Sequence, residues 1–121
     1  STLDAAALCK MADREQITGA LLDGPLAFDN VVSKEAARVK GIVSSVAGEA
    51  DILIVPDVES GNMLVKQLEY FSDAQSAGIV LGAKVPIILT SRSDSPMTRL
   101  SSSVLAAITV HKKLVLKAKK S

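Results

Sequence analysis

The sequence predicts an α/β protein with a largely parallel sheet and helices on both faces of that sheet. Short apolar runs alternate along the chain with segments of helical periodicity, the order typical of parallel sheets. The run DILIV at residues 51–55 is continuously apolar after its first residue, which is typical of a strand covered on both faces. The chain has 121 residues, of which 48% are apolar and 22% charged, enough for one domain with a hydrophobic core. We therefore expect residues 1–121 to form a single α/β domain.

The first half of the chain contains two predicted helices and one predicted strand. Apolar residues recur at helical spacing over residues 1–16, which predicts a helix there. Residues 17–22 form a short apolar run, a predicted strand that the Gly24-Pro25 pair ends. Ser33 is a suitable N-cap for a helix through Val39, and Gly41 is well placed to end that helix before a loop over residues 42–48.

The second half contains three predicted strands and two predicted helices. The strands are residues 51–55, 78–81 and 85–89. A helix is predicted from Gly61 to about Asp73, because residues 64, 68 and 71 are apolar at helical spacing. Ser95 as N-cap and Pro96 at the first helical position begin a long last helix. Its predicted core face is Leu100, Val104, Ala107, Ile108 and His111.

Composition argues against several classes of function. The net charge is +1 and the aromatic residues are one Tyr and two Phe, so neither electrostatic attraction nor base stacking favours nucleic acid. No apolar run approaches the ~20 residues that cross a bilayer, and the first residues lack the basic start of a signal peptide. We expect a cytoplasmic protein with no nucleic-acid or membrane partner. The chain begins without Met inside a predicted helix, so processing and a fragment of a longer protein are both open.

Three further features are assigned structural roles. Cys9 is the only cysteine, which excludes an internal disulfide and a cysteine metal cluster and favours a packed small side chain. No metal site is predicted. His111 is the only histidine and lies far along the chain from the polar loops, so a histidine-based catalytic triad is disfavoured. The lysine-rich tail is predicted to be a solvated helix end: Lys112, Lys113, Lys117, Lys119 and Lys120.

The loop SRSDSP is the first candidate functional site. Arg92 follows an apolar run and precedes a helix N-terminus, where unpaired N–H groups and the helix dipole favour an anion. A guanidinium adds charge-assisted binding of phosphate oxygens, and Ser91 and Ser93 add hydroxyl groups. The alternative is a capped helix start in which Arg92 pairs with Asp94 on the surface.

The loop PDVESGN is the second candidate site. Asp57 can cap the loop, Gly61 allows close approach of backbone N–H groups, and Asn62 offers both a donor and an acceptor. The alternative is a strand-to-helix turn whose polar groups satisfy their own backbone. Neither the P-loop pattern nor the G-x-G-x-x-G dinucleotide pattern occurs in the chain.

Four segments in order, DGPLAFDN, ADILIVPDVESGNMLVKQLEY, GIVLGAKVPIILTSR and SDSP, resemble the C-terminal half of the phosphate acetyl/butyryltransferase family. The last two are more similar to the butyryltransferase-like branch, which includes forms fused to an enoyl-CoA hydratase-like domain. The resemblance implies two α/β domains of the isocitrate/isopropylmalate dehydrogenase-like fold around a cleft, commonly in a homodimer. This chain would be the C-terminal domain, with residues 1–16 a helix from the inter-domain region and the N-terminal domain missing.

The resemblance also implies a reaction and roles for residues. The reaction is reversible acyl transfer between coenzyme A, as a substrate, and inorganic phosphate, without a redox cofactor. Ser91 would hydrogen-bond near the reacting thiol or carbonyl, and Arg92 would hold phosphoryl oxygens and stabilise developing negative charge. Asp57, Gly61, Asn62, Ser93 and Asp94 would line the substrate site.

The chain departs from the classical acetyltransferase pattern at two positions. That pattern has a glycine after the Ser-Arg pair and, a few residues later, an aspartate proposed as the thiol base; here Ser93 and Thr98 stand at those places. Asp94, coenzyme A and phosphate therefore all remain candidates for handling the proton. With half of the cleft missing, we expect little activity from the isolated chain.

Two other classes of function remain open. A non-catalytic interaction or dimerisation module would use the apolar surface that a missing domain uncovers. A dehydrogenase-like relative on the same fold is disfavoured, because acidic metal ligands at suitable spacing are not evident.

Overall fold

The computed structural model describes residues 1–118, in which the regular secondary structure is helical. The chain divides into two compact units, Ser1–Val58 and Glu59–Ser121. The helices are α1 (Thr2–Asp13), α2 (Phe28–Val32), α3 (Lys34–Val39), α4 (Val58–Phe71) and α5 (Pro96–Ala118). The predicted basic tail is described up to residue 118, and Lys119 and Lys120 lie outside the described residues.

In the first unit, α3 begins and ends at the residues that the sequence indicates. The Ser33 hydroxyl accepts the N–H of Ala36 at 3.2 Å, so the predicted N-cap is confirmed. Gly41 has φ +67°, its N–H donates to the Arg38 carbonyl, and the next N–H, that of Ile42, donates to Ala37. These two bonds form the Schellman motif that ends helices at a left-handed glycine, and the predicted stop is confirmed.

The packed part of the first unit is the corner where α2 meets α3. Asn30 and Ala37 are the buried side chains there, and the N–H of Gly48 donates to the carbonyl of Val31. Gly48 has φ +82°, and a Cβ at this position would lie 2.5 Å from the backbone nitrogen of Lys34. Only glycine therefore lets the 42–48 loop lie this close to the start of α3.

In the second unit, α5 packs through small residues and not through the predicted apolar face. Ser102 and Ala106 are buried, whereas Leu100, Val104 and Ile108 are 59%, 49% and 48% exposed. Ala107 and His111, the other two residues of the predicted core face, are exposed as well. Within residues 1–118 the prediction that this face forms the core is therefore wrong. The Ser102 hydroxyl donates to the Thr98 carbonyl and accepts the N–H of Gly78. A larger side chain would not admit this close approach of residue 78.

The segments predicted as strands are mostly unpaired. Within residues 1–118 the β pairing consists of one isolated antiparallel bridge, between Val80 and Ile87. Ile52 and Ile54 in the run 51–55 are 73% and 81% exposed, so the expected cover on both faces is not supplied by the described residues. A continuous apolar run shows what its side chains prefer to contact, not which chain provides the contact. The parallel sheet stays a prediction.

Candidate functional site

The loop at residues 91–95, called the 91–95 loop below, is closed by its own polar groups. Asp94 Oδ2 accepts the N–H of Ser91 at 2.7 Å, and the N–H of Asp94 donates to the Ser91 carbonyl at 3.2 Å. The hydroxyls of Ser91 and Ser93 lie 3.0 Å apart. Ser91, Ser93 and Asp94, which sequence reasoning grouped in one site, are therefore brought together by direct hydrogen bonds.

The same loop is fixed to the start of α5. The Ser95 hydroxyl accepts the N–H of Thr98 at 3.1 Å, and Pro96 is the first helical residue, so the predicted cap is confirmed. The guanidinium of Arg99 donates to the carbonyl of Arg92 at 3.3 Å. Since α5 has 23 residues, its N-terminus carries the positive end of a long helix dipole.

Arg92 lies on this loop with an exposed side chain. Among residues 1–118 its guanidinium forms no ion pair, and the cation beside Asp94 is Lys66. The alternative in which Arg92 neutralises Asp94 is thus not what the structure shows. The loop offers an anion one unpaired guanidinium, two serine hydroxyls and the adjacent helix N-terminus.

Lys66 and Glu69 on α4 are polar residues that sequence reasoning missed. Lys66 Nζ lies 2.6 Å from Glu69 Oε2 and 3.6 Å from Asp94 Oδ1. Their i, i+3 spacing could have placed them on one helix face. Nothing in the sequence, however, connects that face to Asp94, 28 positions beyond Lys66.

The electrostatics of this cluster follow from these contacts. The hydrogen bond to Glu69 is the main cause that raises the pKa of Lys66. Burial, the next largest effect, opposes it, and the charges of Glu69 and Asp94 add to the increase. The hydrogen bonds from Lys66 and Ser76 lower the pKa of Glu69. Both groups are therefore charged at neutral pH.

An open cleft of ≈ 250 Å³ lies where α4 faces the 91–95 loop. Its walls carry two acids, one lysine and several hydroxyl groups, so it is polar. The lining residues are Lys66, Glu69, Tyr70, Ala74, Ser93, Asp94, Ser95 and Thr98.

The second candidate segment is mostly helix and not loop. Helix α4 begins at Val58, three residues before the predicted start, so Gly61 and Asn62 lie in its first two turns. Gly61 lies in the predicted helix and is absent from the glycines with positive φ. Asp57 directly precedes α4 and belongs to the first unit. Among residues 1–118, no hydrogen bond joins Gly61 or Asn62 to the 91–95 loop.

Cys9 is placed as a packing residue of the first unit. Its thiol is half-buried and contacts the Gly24 carbonyl at 3.5 Å. Burial, followed by the charges of Asp23 and Asp13, raises the pKa of this thiol. A thiol that holds its proton more tightly than usual is a poor nucleophile at neutral pH.

No group of three or more His, Cys, Asp or Glu side chains in residues 1–118 is placed to hold a metal ion. No helix in the same range is long and apolar enough to cross a membrane.

The 91–95 loop carries two serine hydroxyls and an exposed arginine directly before the first turn of α5. The family described as phosphate acetyl/butaryl transferase matches residues 1–107, and the chain belongs to that family.

The chain is similar to phosphate acetyltransferases and to phosphate butyryltransferases. It is 64% identical over 108 residues to the phosphate acetyltransferase of Rhizobium meliloti, covering 89% of this chain and 34% of that protein. It is 52% identical over 108 residues to the phosphate butyryltransferase of Clostridium beijerinckii, covering 89% of this chain and 36% of that protein. The chain thus spans about a third of the length of these relatives. The butyryltransferase-like branch stays a prediction.

A solved structure supports the same grouping. The branched-chain phosphotransacylase from Enterococcus faecalis V583 superposes with a TM-score of 0.77 at 37% sequence identity. The match covers 91% of this chain and 39% of that chain.

Proposed function

We propose that this chain forms the C-terminal part of a phosphate acyltransferase, which transfers an acetyl or butyryl group between coenzyme A and inorganic phosphate. The observation that carries the proposal is Arg92, an exposed arginine four residues before the start of α5 that forms no ion pair among residues 1–118. Family membership supports the reaction, and the named relatives are phosphate acetyltransferases and butyryltransferases.

The proposed reaction needs binding and charge stabilisation, and no redox cofactor takes part. An oxygen of monohydrogen phosphate attacks the thioester carbonyl carbon, a carbon–oxygen bond forms and the carbon–sulfur bond breaks. The proton of the phosphate ends on the coenzyme A sulfur, so charge and atoms balance. Arg92 binds phosphoryl oxygens and offsets the negative charge that develops on the carbonyl oxygen, and the Ser91 hydroxyl hydrogen-bonds beside the reacting group.

The rest of the site is proposed to come from outside this chain. A further α/β domain, placed before residue 1, would form the opposite wall of the cleft, and residues 1–16 would connect the two. Asp57, Gly61 and Asn62 would shape the wall on this side. The protein would act as a cytoplasmic homodimer, with a parallel sheet completed in the full assembly.

The test measures acyl phosphate formation by the full-length product of the reading frame that encodes this chain. We expect acetyl-CoA or butyryl-CoA and phosphate to yield acyl phosphate. Arg92→Ala should lower kcat/KM for phosphate by about 100- to 1,000-fold, the usual effect of losing a group that stabilises developing charge.

Arg38→Ala is the matched control, because that exposed arginine pairs with Glu35 in the first unit. It should leave the rate within about twofold of wild type. Equal rates for the Arg92 and Arg38 variants would remove Arg92 from the site.

A non-catalytic interaction module is the second candidate. Large apolar side chains are strongly exposed in both units, among them Leu3 at 84% and Phe71 at 87%. Such surfaces favour association with another chain. A correctly folded full-length protein that self-associates by sedimentation, yet forms no acyl phosphate, would favour this candidate.

A further inference from the structure

The Asp94 carboxylate holds the 91–95 loop with one oxygen and faces a lysine with the other. Oδ2 accepts the N–H of Ser91 at 2.7 Å, and Oδ1 lies 3.6 Å from Lys66 Nζ. The Asp94 side chain is only 11% exposed. Among residues 1–118, Lys66 is the one cation within ion-pair distance of it. A mostly buried carboxylate interacts more strongly with a cation than an exposed one does, so Lys66 helps to hold the carboxylate that accepts the N–H of Ser91.

Lys66 is held in place from its own helix. Glu69 Oε2 lies 2.6 Å from Lys66 Nζ, and the other oxygen of Glu69 accepts a hydrogen bond from the Ser76 hydroxyl. Lys66 is 32% exposed and Glu69 17% exposed, so this pair is less solvated than the surface pairs of the first unit. A single chain of polar contacts therefore connects residue 76, helix α4 and the backbone of Ser91.

We propose that Lys66 is a positioning residue, which fixes Asp94 and, through Asp94, the backbone of Ser91. The Ser91 hydroxyl and the Arg92 guanidinium are thereby set for their ligand before it binds. The catalytic consequence rests on the proposed function, whereas the fixing of the loop does not. Preset geometry matters because displacing a reacting group by about 1 Å can cost about 100-fold in rate.

The same contacts assign Asp94 a structural role and not that of the thiol base. Its Oδ2 already accepts the backbone N–H of Ser91, and its Oδ1 faces an ammonium group. Both carboxylate oxygens are therefore already engaged by donors. Proton transfer between coenzyme A and phosphate therefore proceeds without Asp94.

The experiment compares four single variants and one double variant of the full-length protein with wild type. Lys66→Met removes the charge and keeps the length of the side chain, and Lys66→Arg restores the charge. Asp94→Asn keeps an acceptor for Ser91 and removes the partner of Lys66. Lys10→Met is the matched control, since Lys10 forms an i, i+3 pair with Asp13 in α1 that is about two-thirds exposed.

Two readouts are taken for each variant. The first is amide hydrogen exchange of Ser91 and of the peptide that contains it, with a peptide from α5 as an internal reference. The second is kcat and KM for phosphate. We expect Lys66→Met to speed Ser91 exchange by at least about tenfold while α5 is unchanged, and to lower kcat by about 10- to 100-fold.

The conservative variant and the double variant make the test specific. Lys66→Arg should return both readouts to within about threefold of wild type, and Lys10→Met should change neither. Lys66→Met combined with Asp94→Asn should exchange no faster than the faster single variant, because both changes break one contact. Unchanged Ser91 exchange in Lys66→Met, or additive effects in the double variant, would overturn the proposal.

Two outcomes separate this inference from the proposed function. If wild type forms no acyl phosphate, the proposed function fails, and the exchange measurement still decides the role of Lys66. If Lys66→Met fails to fold, the exchange measurement on Asp94→Asn decides the role of Lys66. This nearly isosteric variant removes the partner of Lys66 and should also speed Ser91 exchange. Slow exchange in Asp94→Asn would then overturn the proposal.

Discussion

Residues 56–62 and residues 91–95 look alike in sequence, and the structure treats them differently. Each follows an apolar run and combines serine, aspartate and a helix start. The 91–95 loop closes on itself through Asp94 and ends at a capped helix. Residues 58–62 instead continue into α4. The difference teaches that similar polar segments can lie on either side of a helix start.

The largest expected effect on stability comes from the helix cap of the 91–95 loop. Ser95→Ala removes the acceptor for the N–H of Thr98 and should lower the free energy of unfolding by about 1 kcal/mol. Urea unfolding followed by circular dichroism measures this change. Ser103→Ala is the control, because that exposed hydroxyl only donates to a carbonyl inside α5. Equal losses in the two variants would mean that the cap contributes nothing special.

A change in the other segment should act in the opposite direction. Since Gly61 lies inside α4 without a positive φ, Gly61→Ala should raise the free energy of unfolding by about 0.5–1 kcal/mol. Gly41→Ala should instead cost about 1 kcal/mol, because Gly41 has φ +67° with open space around it. Calorimetric unfolding of both variants checks the signs. Destabilisation by Gly61→Ala would contradict the placement of residue 61 inside α4.

The smallest effect concerns the pH dependence of the polar cluster beside the 91–95 loop. Hydrogen bonds from Lys66 and Ser76 hold the pKa of Glu69 below its usual range, so its folded-state pKa is lower than its unfolded one. The stability it contributes is present above the ordinary glutamate pKa of about 4.3 and is lost as the pH falls through the lowered folded value.

Glu69→Gln should therefore be less stable than wild type at pH 7 and approach it in acid. Glu35→Gln should show the same sign with a smaller difference, because the hydrogen bond from Arg38 lowers the pKa of Glu35 on a well-exposed surface. Urea unfolding at a series of pH values measures both. A difference for Glu69→Gln that grows as the pH falls would contradict the assignment.

The confirmed predictions of helix ends depend on residues that are close together in the sequence. The caps at Ser33 and Ser95 and the stop at Gly41 depend on neighbours within four residues, and all three are confirmed. The predicted start of α4 is three residues too late. Ser60 and Gly61 are residue types common in loops, and the sequence pattern of an apolar helix face becomes visible only after them. Polar residues near a helix start do not show on which side of the start they lie.

Contacts between distant residues could not be predicted in the same way. The approach of Lys66 to Asp94 depends on how α4 packs in the second unit, and no spacing rule connects positions 28 apart. The exposed apolar face of α5 was assigned to a core because periodicity identifies an apolar face without identifying what covers it. The roles of Ser91 and Arg92 came from the family resemblance and await the kinetic test.

Ser102 and Ala106 set the rotation of α5 about its own axis. Successive residues of an α-helix are turned by about 100°, so a shift of one position would move both small side chains out of the packed line, and in one direction would bring Leu105 into it. The packing of residue 78 on Ser102 resists that turn. Leu100, Val104 and Ile108 are consequently held as an exposed, slightly inclined row about 12 Å long. Two small buried residues thus determine which side chains the helix displays.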